Sequence, residues 1–171
     1  MFGKKKRTRP HRQKMRCPCS MAVWIAVVSV LVLQLVIFCM VGGYADAFHL
    51  LRGYVPLPPL WLFTTLDWFC CALGGAVLGR ILFLGRLYEG KRFRSAFFTV
   101  LALTLGYFWY ALFFGAHAFL LSLLFAALAF LVALSVLFCL GREGRGLSYV
   151  FIWAGYAFYR LLLSLFCLFS L

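Results

Sequence analysis

Residues 118–140 read AFLLSLLFAALAFLVALSVLFCL, twenty-three positions without a charge. A hydrocarbon layer is about 30 Å thick, so roughly 20 helical residues cross it. The segment shows none of the period-two alternation of a barrel strand. Lipid offers no partner for open backbone, and a helix satisfies its own. Working outward, the same reading applies to 21–42, 60–84, 95–114 and 147–166. The sequence thus predicts an all-α integral membrane protein, a bundle of five transmembrane helices. The spans fit one domain over 21–171, and a basic tail occupies 1–20.

Composition agrees. Of 171 residues, 65% are hydrophobic and 12% charged, and mean hydropathy is +1.00. An ordinary soluble domain is about half apolar and a quarter charged. A soluble chain of this length keeps about a third of its surface wet and could not hide so much apolar area. A soluble globular enzyme and a disordered chain are both excluded.

Seventeen Lys and Arg against four Asp and Glu give a net charge of +13. Eight of the cations, from Lys4 to Arg16, precede the first span. Arg52 is alone in the next connection. Five follow from Arg80 to Arg94, none at 115–117, Arg142 and Arg145 in the next turn, and none after the last span. The series 8, 1, 5, 0, 2, 0 alternates, which places the N terminus in the cytoplasm and the C terminus outside. The tail reads as a topology signal that also meets anionic lipid, and it carries no base-reading chemistry, so no nucleic acid is expected. A cleaved signal peptide ahead of Ala45-Asp46-Ala47 would leave four spans, but the first apolar run exceeds the ~7–15 residues of a signal sequence. With no organellar transit pattern, the expected location is a bacterial inner membrane.

The cysteines are Cys17, Cys19, Cys39, Cys70, Cys71, Cys139 and Cys167. The last five fall in apolar runs, where the thiol acts as a small hydrophobe. Their spacing lacks a metal or redox pattern, so no metal is expected. The run from Gly141 to Gly146 is glycine-rich but joins two helices, without the strand that a phosphate-binding loop needs.

Ionisable groups inside a span are functional candidates. Asp67 lies about two turns into the second span. Arg160 lies eleven residues from the C terminus, ~16 Å along a helix. They either pair across the bundle or each face a polar cavity. Gln34 and Ser122 are weaker polar candidates. No filter-like motif or paired half-repeat points to a channel or an inverted-repeat transporter. Aromatic residues reach 19%, and the run from Tyr107 to Tyr110 must turn some rings inward. Inward rings suit a flat apolar ligand.

Further detail comes from a resemblance. Phe48 and Leu51 precede Pro58-Pro59-Leu60-Trp61-Leu62-Phe63, and Gly74-Gly75-Ala76 follows. Trp109 precedes Phe113-Phe114-Gly115, and Trp153 precedes Tyr156-Ala157. Over about 44–165 this order resembles the tryptophan-rich sensory protein family, the TspO/translocator family also called peripheral-type benzodiazepine receptors. The sequence departs from the family at Leu66-Asp67-Trp68, at Ala102 and Gly106, at Arg160-Leu161, and at Ser122 where the fourth helix often carries an acid. It reads as a divergent member.

The resemblance implies a receptor, sensor or carrier that binds a hydrophobic ligand, a tetrapyrrole such as porphyrin or a haem-like molecule, between the helices. No cofactor is required. Trp61, Asp67, Trp109, Trp153, Tyr156 and Arg160 become the expected ligand contacts, with Arg160 meeting a ligand carboxylate. Phe48 and Tyr54 would belong to a lid loop. Porphyrin modification would need an acid or base, and Asp67 is the one deep carboxylate. The rival readings are a structural or accessory subunit without a ligand, and a small transporter of another family. The expected partners are the bilayer and a hydrophobic small molecule; Gly74, Gly75 and Gly79 suit close helix contact, either with a second copy of the chain in a homodimer or within one chain.

Topology is directly measurable. A reporter fused after Arg16 or Arg86 should be active only in its cytoplasmic form, and one fused after Gly53 only in its exported form. The reverse pattern would overturn the charge count.

Overall fold

The computed structural model describes residues 18–42, 44–53, 57–83, 89–140 and 147–170. The basic tail through Cys17, Tyr54, and the connections holding Arg86, Arg142 and Arg145 lie outside the described residues.

The described chain is helical throughout: α1 (Pro18–Val41), α2 (Tyr44–Arg52), α3 (Leu60–Phe83), α4 (Glu89–Tyr110), a π-helical turn (Ala111–Gly115), α5 (Phe119–Leu140) and α6 (Leu147–Ser170). Five helical stretches are long and apolar enough to cross a membrane. This is the five-helix, all-α bundle that the apolar runs predict.

The ends differ from the apolar-run reading. Pro18 opens α1, a position where its missing N–H costs no hydrogen bond. The α4 helix starts six residues before 95, because Lys91, Arg92 and Arg94 continue the helix where apolarity has stopped. The α6 helix runs on to Ser170. The connection expected as a lid loop contains a helix of its own, α2. Phe48 and Leu51 share one of its faces and are fully buried. Asp46 in its first turn and His49 and Arg52 in its last complement the helix dipole.

Helices α3, α4, α5 and α6 form a closed ring, with α3 and α5 each packed against both α4 and α6. α1 lies outside this ring, along α3. Most of its surface is free to meet lipid, including Trp24, Ile25, Val28 and Val32. Because α1 and α5 carry apolar side chains on nearly every face, lipid and protein compete for those faces, and small residues help decide which side packs. Gly75 and Gly79 face α1. A methyl group at Gly75 would stand 2.9 Å from Val27 Cα, and one at Gly79 2.8 Å from Val23 Cα. Gly74 faces inward against Leu103 and Trp153. Of the two contacts open to these glycines, packing within the chain is the one observed. On α5 the buried stripe is Ser122, Ala126, Ala129, Ala133 and Val136.

Two apolar clusters fill the bundle. One, at the α2 end, joins Phe48, Leu51, Phe63, Trp109, Phe113 and Phe114. Phe48 and Phe63 ring centroids are 5.5 Å apart, and Phe113 and Phe114 meet edge to face at 4.8 Å. The other joins Cys71, Val77, Leu103, Ala133, Val136 and Trp153. Asp67, Gly106 and Arg160 lie between the two clusters along α3, α4 and α6. Beyond α4, the Ala116 N–H reaches back to the Ala111 carbonyl at 3.0 Å, closing the π turn. His117 then takes a positive φ of 51°, a conformation His tolerates better than bulkier residues.

The α1–α3 contact predicts its own failure. Gly79→Val pushes a branched side chain into backbone, so detergent-solubilised protein should lose roughly 1–3 kcal/mol of stability, seen as a lower thermal midpoint. Gly155→Ala, whose added methyl meets nothing within 4 Å, should leave the midpoint unchanged or raise it.

Candidate functional site

Asp67 is the eighth residue of α3 and is 2% exposed. Its Oδ2 accepts a hydrogen bond from Gln34 Nε2 of α1 at 2.6 Å. Its Oδ1 accepts one from the Tyr156 hydroxyl of α6 at 2.6 Å. The same Oδ1 also accepts from Arg160 Nη2, which makes the ion pair of the site. One carboxylate thus ties three helices together. Of the two readings open from sequence, the pairing across the bundle is the one observed.

Arg160 links the fourth. Its Nη1 donates to the Gly106 carbonyl of α4 at 3.2 Å. Gly106 has to be small here, because a methyl group on it would lie 2.8 Å from that nitrogen. The guanidinium lies between two rings, with its central carbon 4.7 Å from the Trp109 centroid and 4.7 Å from that of Tyr156. Flat cations stack well on such faces, more strongly where water is absent. Trp109 is held in turn, its Nε1 donating to Ser164 Oγ at 2.7 Å and Ser164 donating to the Arg160 carbonyl at 3.0 Å.

Two polar atoms at this layer are buried without a hydrogen-bond partner, Arg160 Nε and Gln34 Oε1. Arg160 also lines a cavity of about 30 Å³ at the centre of the ring. Cys70 and Cys71 of α3, Tyr107 of α4, Ala129 of α5 and Trp153 of α6 lie around it as well. A space of this size holds about one water molecule. Among the described residues no group of His, Cys, Asp and Glu is arranged to hold a metal ion.

The expected contacts divide. Asp67, Trp109, Tyr156 and Arg160 meet in one network, and Trp153 lines the cavity beside it. Trp61 does not join them. It is 69% exposed on the outer face of α3, two residues after the prolines that precede the helix. Phe48 is buried on α2 against Phe63, a plug at the end of the bundle rather than part of a loop. Tyr54 lies outside the described residues. Gln34, weak as a sequence candidate, is a direct partner of the carboxylate. Gly106 was visible only as a departure from a family pattern, since nothing in a sequence says which glycine faces a guanidinium.

Chemically the layer is a neutral ion pair with a saturated carboxylate, an incompletely saturated guanidinium, two aromatic faces and a small void. Breaking one side leaves a buried charge alone, which typically costs about 3–5 kcal/mol, whereas replacing both sides with apolar residues is often close to neutral. Asp67→Leu should therefore destabilise the purified protein by about that amount, and Asp67→Leu combined with Arg160→Met should recover most of it in the same thermal or denaturant assay. Additive losses in the double variant would show that the pair is not coupled.

Comparison of the chain with protein-family models, with characterised proteins and with solved structures finds no match.

Proposed function

We propose that the chain is a membrane receptor, sensor or carrier that binds a hydrophobic ligand bearing a carboxylate, of tetrapyrrole type, between α3, α4, α5 and α6. The alternation of Lys and Arg supports an N terminus in the cytoplasm, and the basic tail without an organellar transit pattern supports a bacterial inner membrane. One observation carries the reading. A guanidinium is kept at membrane depth between two aromatic faces, with its Nε buried and unpaired, beside an internal void. A charge there is costly and marks a functional position. Arg160 suits a carboxylate, and Trp109, Tyr156 and Trp153 suit a flat ring.

The void is about 30 Å³, against roughly 300–1,000 Å³ for pockets that enclose a drug-sized ligand. A macrocycle therefore binds only if the ring of helices parts. The seam for that movement is the α5 stripe of Ala126, Ala129 and Ala133, which offers little interlocking side chain to α4 and α6. The same small void favours a second reading, an accessory membrane subunit whose ion pair serves only to fix the bundle.

Titration of the detergent-solubilised protein with protoporphyrin, followed by tryptophan quenching, separates the two. Saturable micromolar quenching that weakens at least tenfold in Arg160→Gln, and on replacing the porphyrin by its dimethyl ester, is the expected result. Linear quenching, unchanged by either replacement, would leave the accessory subunit.

A further inference from the structure

We propose that Asp67 takes up one proton when an anionic group binds Arg160, so that the site exchanges its internal carboxylate for an external anion plus a proton. The inference rests on the reading of Arg160 as the anion contact and adds the coupling that this reading requires.

The argument begins with charge. The layer is neutral as it stands, one carboxylate against one guanidinium. An anion that reaches Arg160 while Asp67 stays ionised gives a net negative charge in a medium of low dielectric, where an uncompensated charge is heavily penalised. A proton on Asp67 restores neutrality. In atoms, a hydronium ion or buffer acid in solution gives up one bond to hydrogen and its conjugate base stays in solution, while one O–H bond forms on the Asp67 carboxylate. Arg160 Nη2 then releases Oδ1 and donates to the incoming anion. No oxidant or reductant is involved.

The structure also holds the partner that a protonated Asp67 needs. Gln34 donates Nε2 to Asp67 Oδ2, while its Oε1 is buried without a hydrogen bond and the residue is 1% exposed. A side-chain amide is donor at one end and acceptor at the other. Rotating the Gln34 amide by half a turn presents Oε1 to the same carboxyl oxygen, ready to accept its new O–H. Gln34 can thus serve both protonation states, and an apolar residue could serve neither. The Tyr156 hydroxyl remains as a donor to Oδ1 in either state.

Among the described residues, no other group facing Asp67 competes for the proton between pH 5 and 7. The titratable groups that interact electrostatically with Asp67 are Cys70 and Cys71 of its own helix, Tyr107 of α4, and Tyr156 and Arg160 of α6. The α1 helix contributes Gln34, which does not titrate, and α5 lines the void with alanines. Thiols and phenols ordinarily titrate at about 8.5 and 10 and stay neutral in this window, and a guanidinium keeps its charge throughout.

The test uses 1-hexanesulfonate, which is anionic at every pH in this range, so any proton taken up belongs to the protein. Calorimetric titration of the solubilised protein in buffers of different ionisation enthalpy gives the number of protons bound per sulfonate. The expected value approaches one, with affinity falling up to tenfold per pH unit as pH rises. Asp67→Asn, neutral from the start, should bind with no proton uptake and no pH dependence. Saturable binding to the wild type without proton uptake would overturn the coupling and leave Arg160 as the anion contact. No binding of either hexanesulfonate or protoporphyrin would overturn both. If Asp67→Asn does not fold, the proton count of the wild type decides alone.

Discussion

The structure depends on one ion pair in a place where ions are expensive. Asp67 and Arg160 neutralise each other, and each also reaches a neighbour that the other does not. The carboxylate collects Gln34 and Tyr156, and the guanidinium collects Gly106 and two ring faces. Together they bind α1, α3, α4 and α6 at one level. Between lipid-like helices there is little hydrophobic force to choose one arrangement over another. A polar layer that is satisfied in only one register supplies the choice that apolar packing lacks.

Packing on either side of this layer follows from size. Glycines at 75 and 79 bring α1 against α3 until backbone nearly meets backbone. Alanines on α5 let α4 and α6 close around it. Bulk is concentrated at the α2 end, where Phe48, Phe63, Phe113 and Phe114 fill the space between the helix ends. The π turn at Ala111–Gly115 lies in this aromatic cluster, and such turns often mark positions where a helix is adapted to function. The bundle is thus tight at its aromatic end and smooth along its alanine seam, and the void lies beside that seam.

A resemblance in motif order and a resemblance in geometry are separate matters. Trp109 and Tyr156 stand where a ligand-binding reading needs them, against Arg160. Trp61, which the resemblance puts among the ligand contacts, is 69% exposed on the outer face of α3. Asp67, Gly106 and Arg160 form one connected layer. Changing any one of them alone would strand the others.

The sequence by itself determined the class of structure. Apolar runs of about twenty residues, with few or no charges, leave a helix as the backbone that lipid accepts. It also marked Asp67 and Arg160, since ions in apolar runs stand out without any structure. It set the start of α4 too late, where the helix begins in the charged stretch before the apolar run, it ended the last span at 166 although the apolar helix runs on to Ser170, and it missed α2, whose nine residues carry too many polar groups to register as a span. Tertiary structure alone decided which helices form the ring, that Asp67 and Arg160 meet, that Gln34 is their third partner, and that Gly106 is the socket. The physical reason is that apolar helices carry no directional pattern in lipid. Which face turns inward is set by the fit of small residues and by polar groups ninety-three positions apart finding each other, and neither is written in any local stretch of the chain.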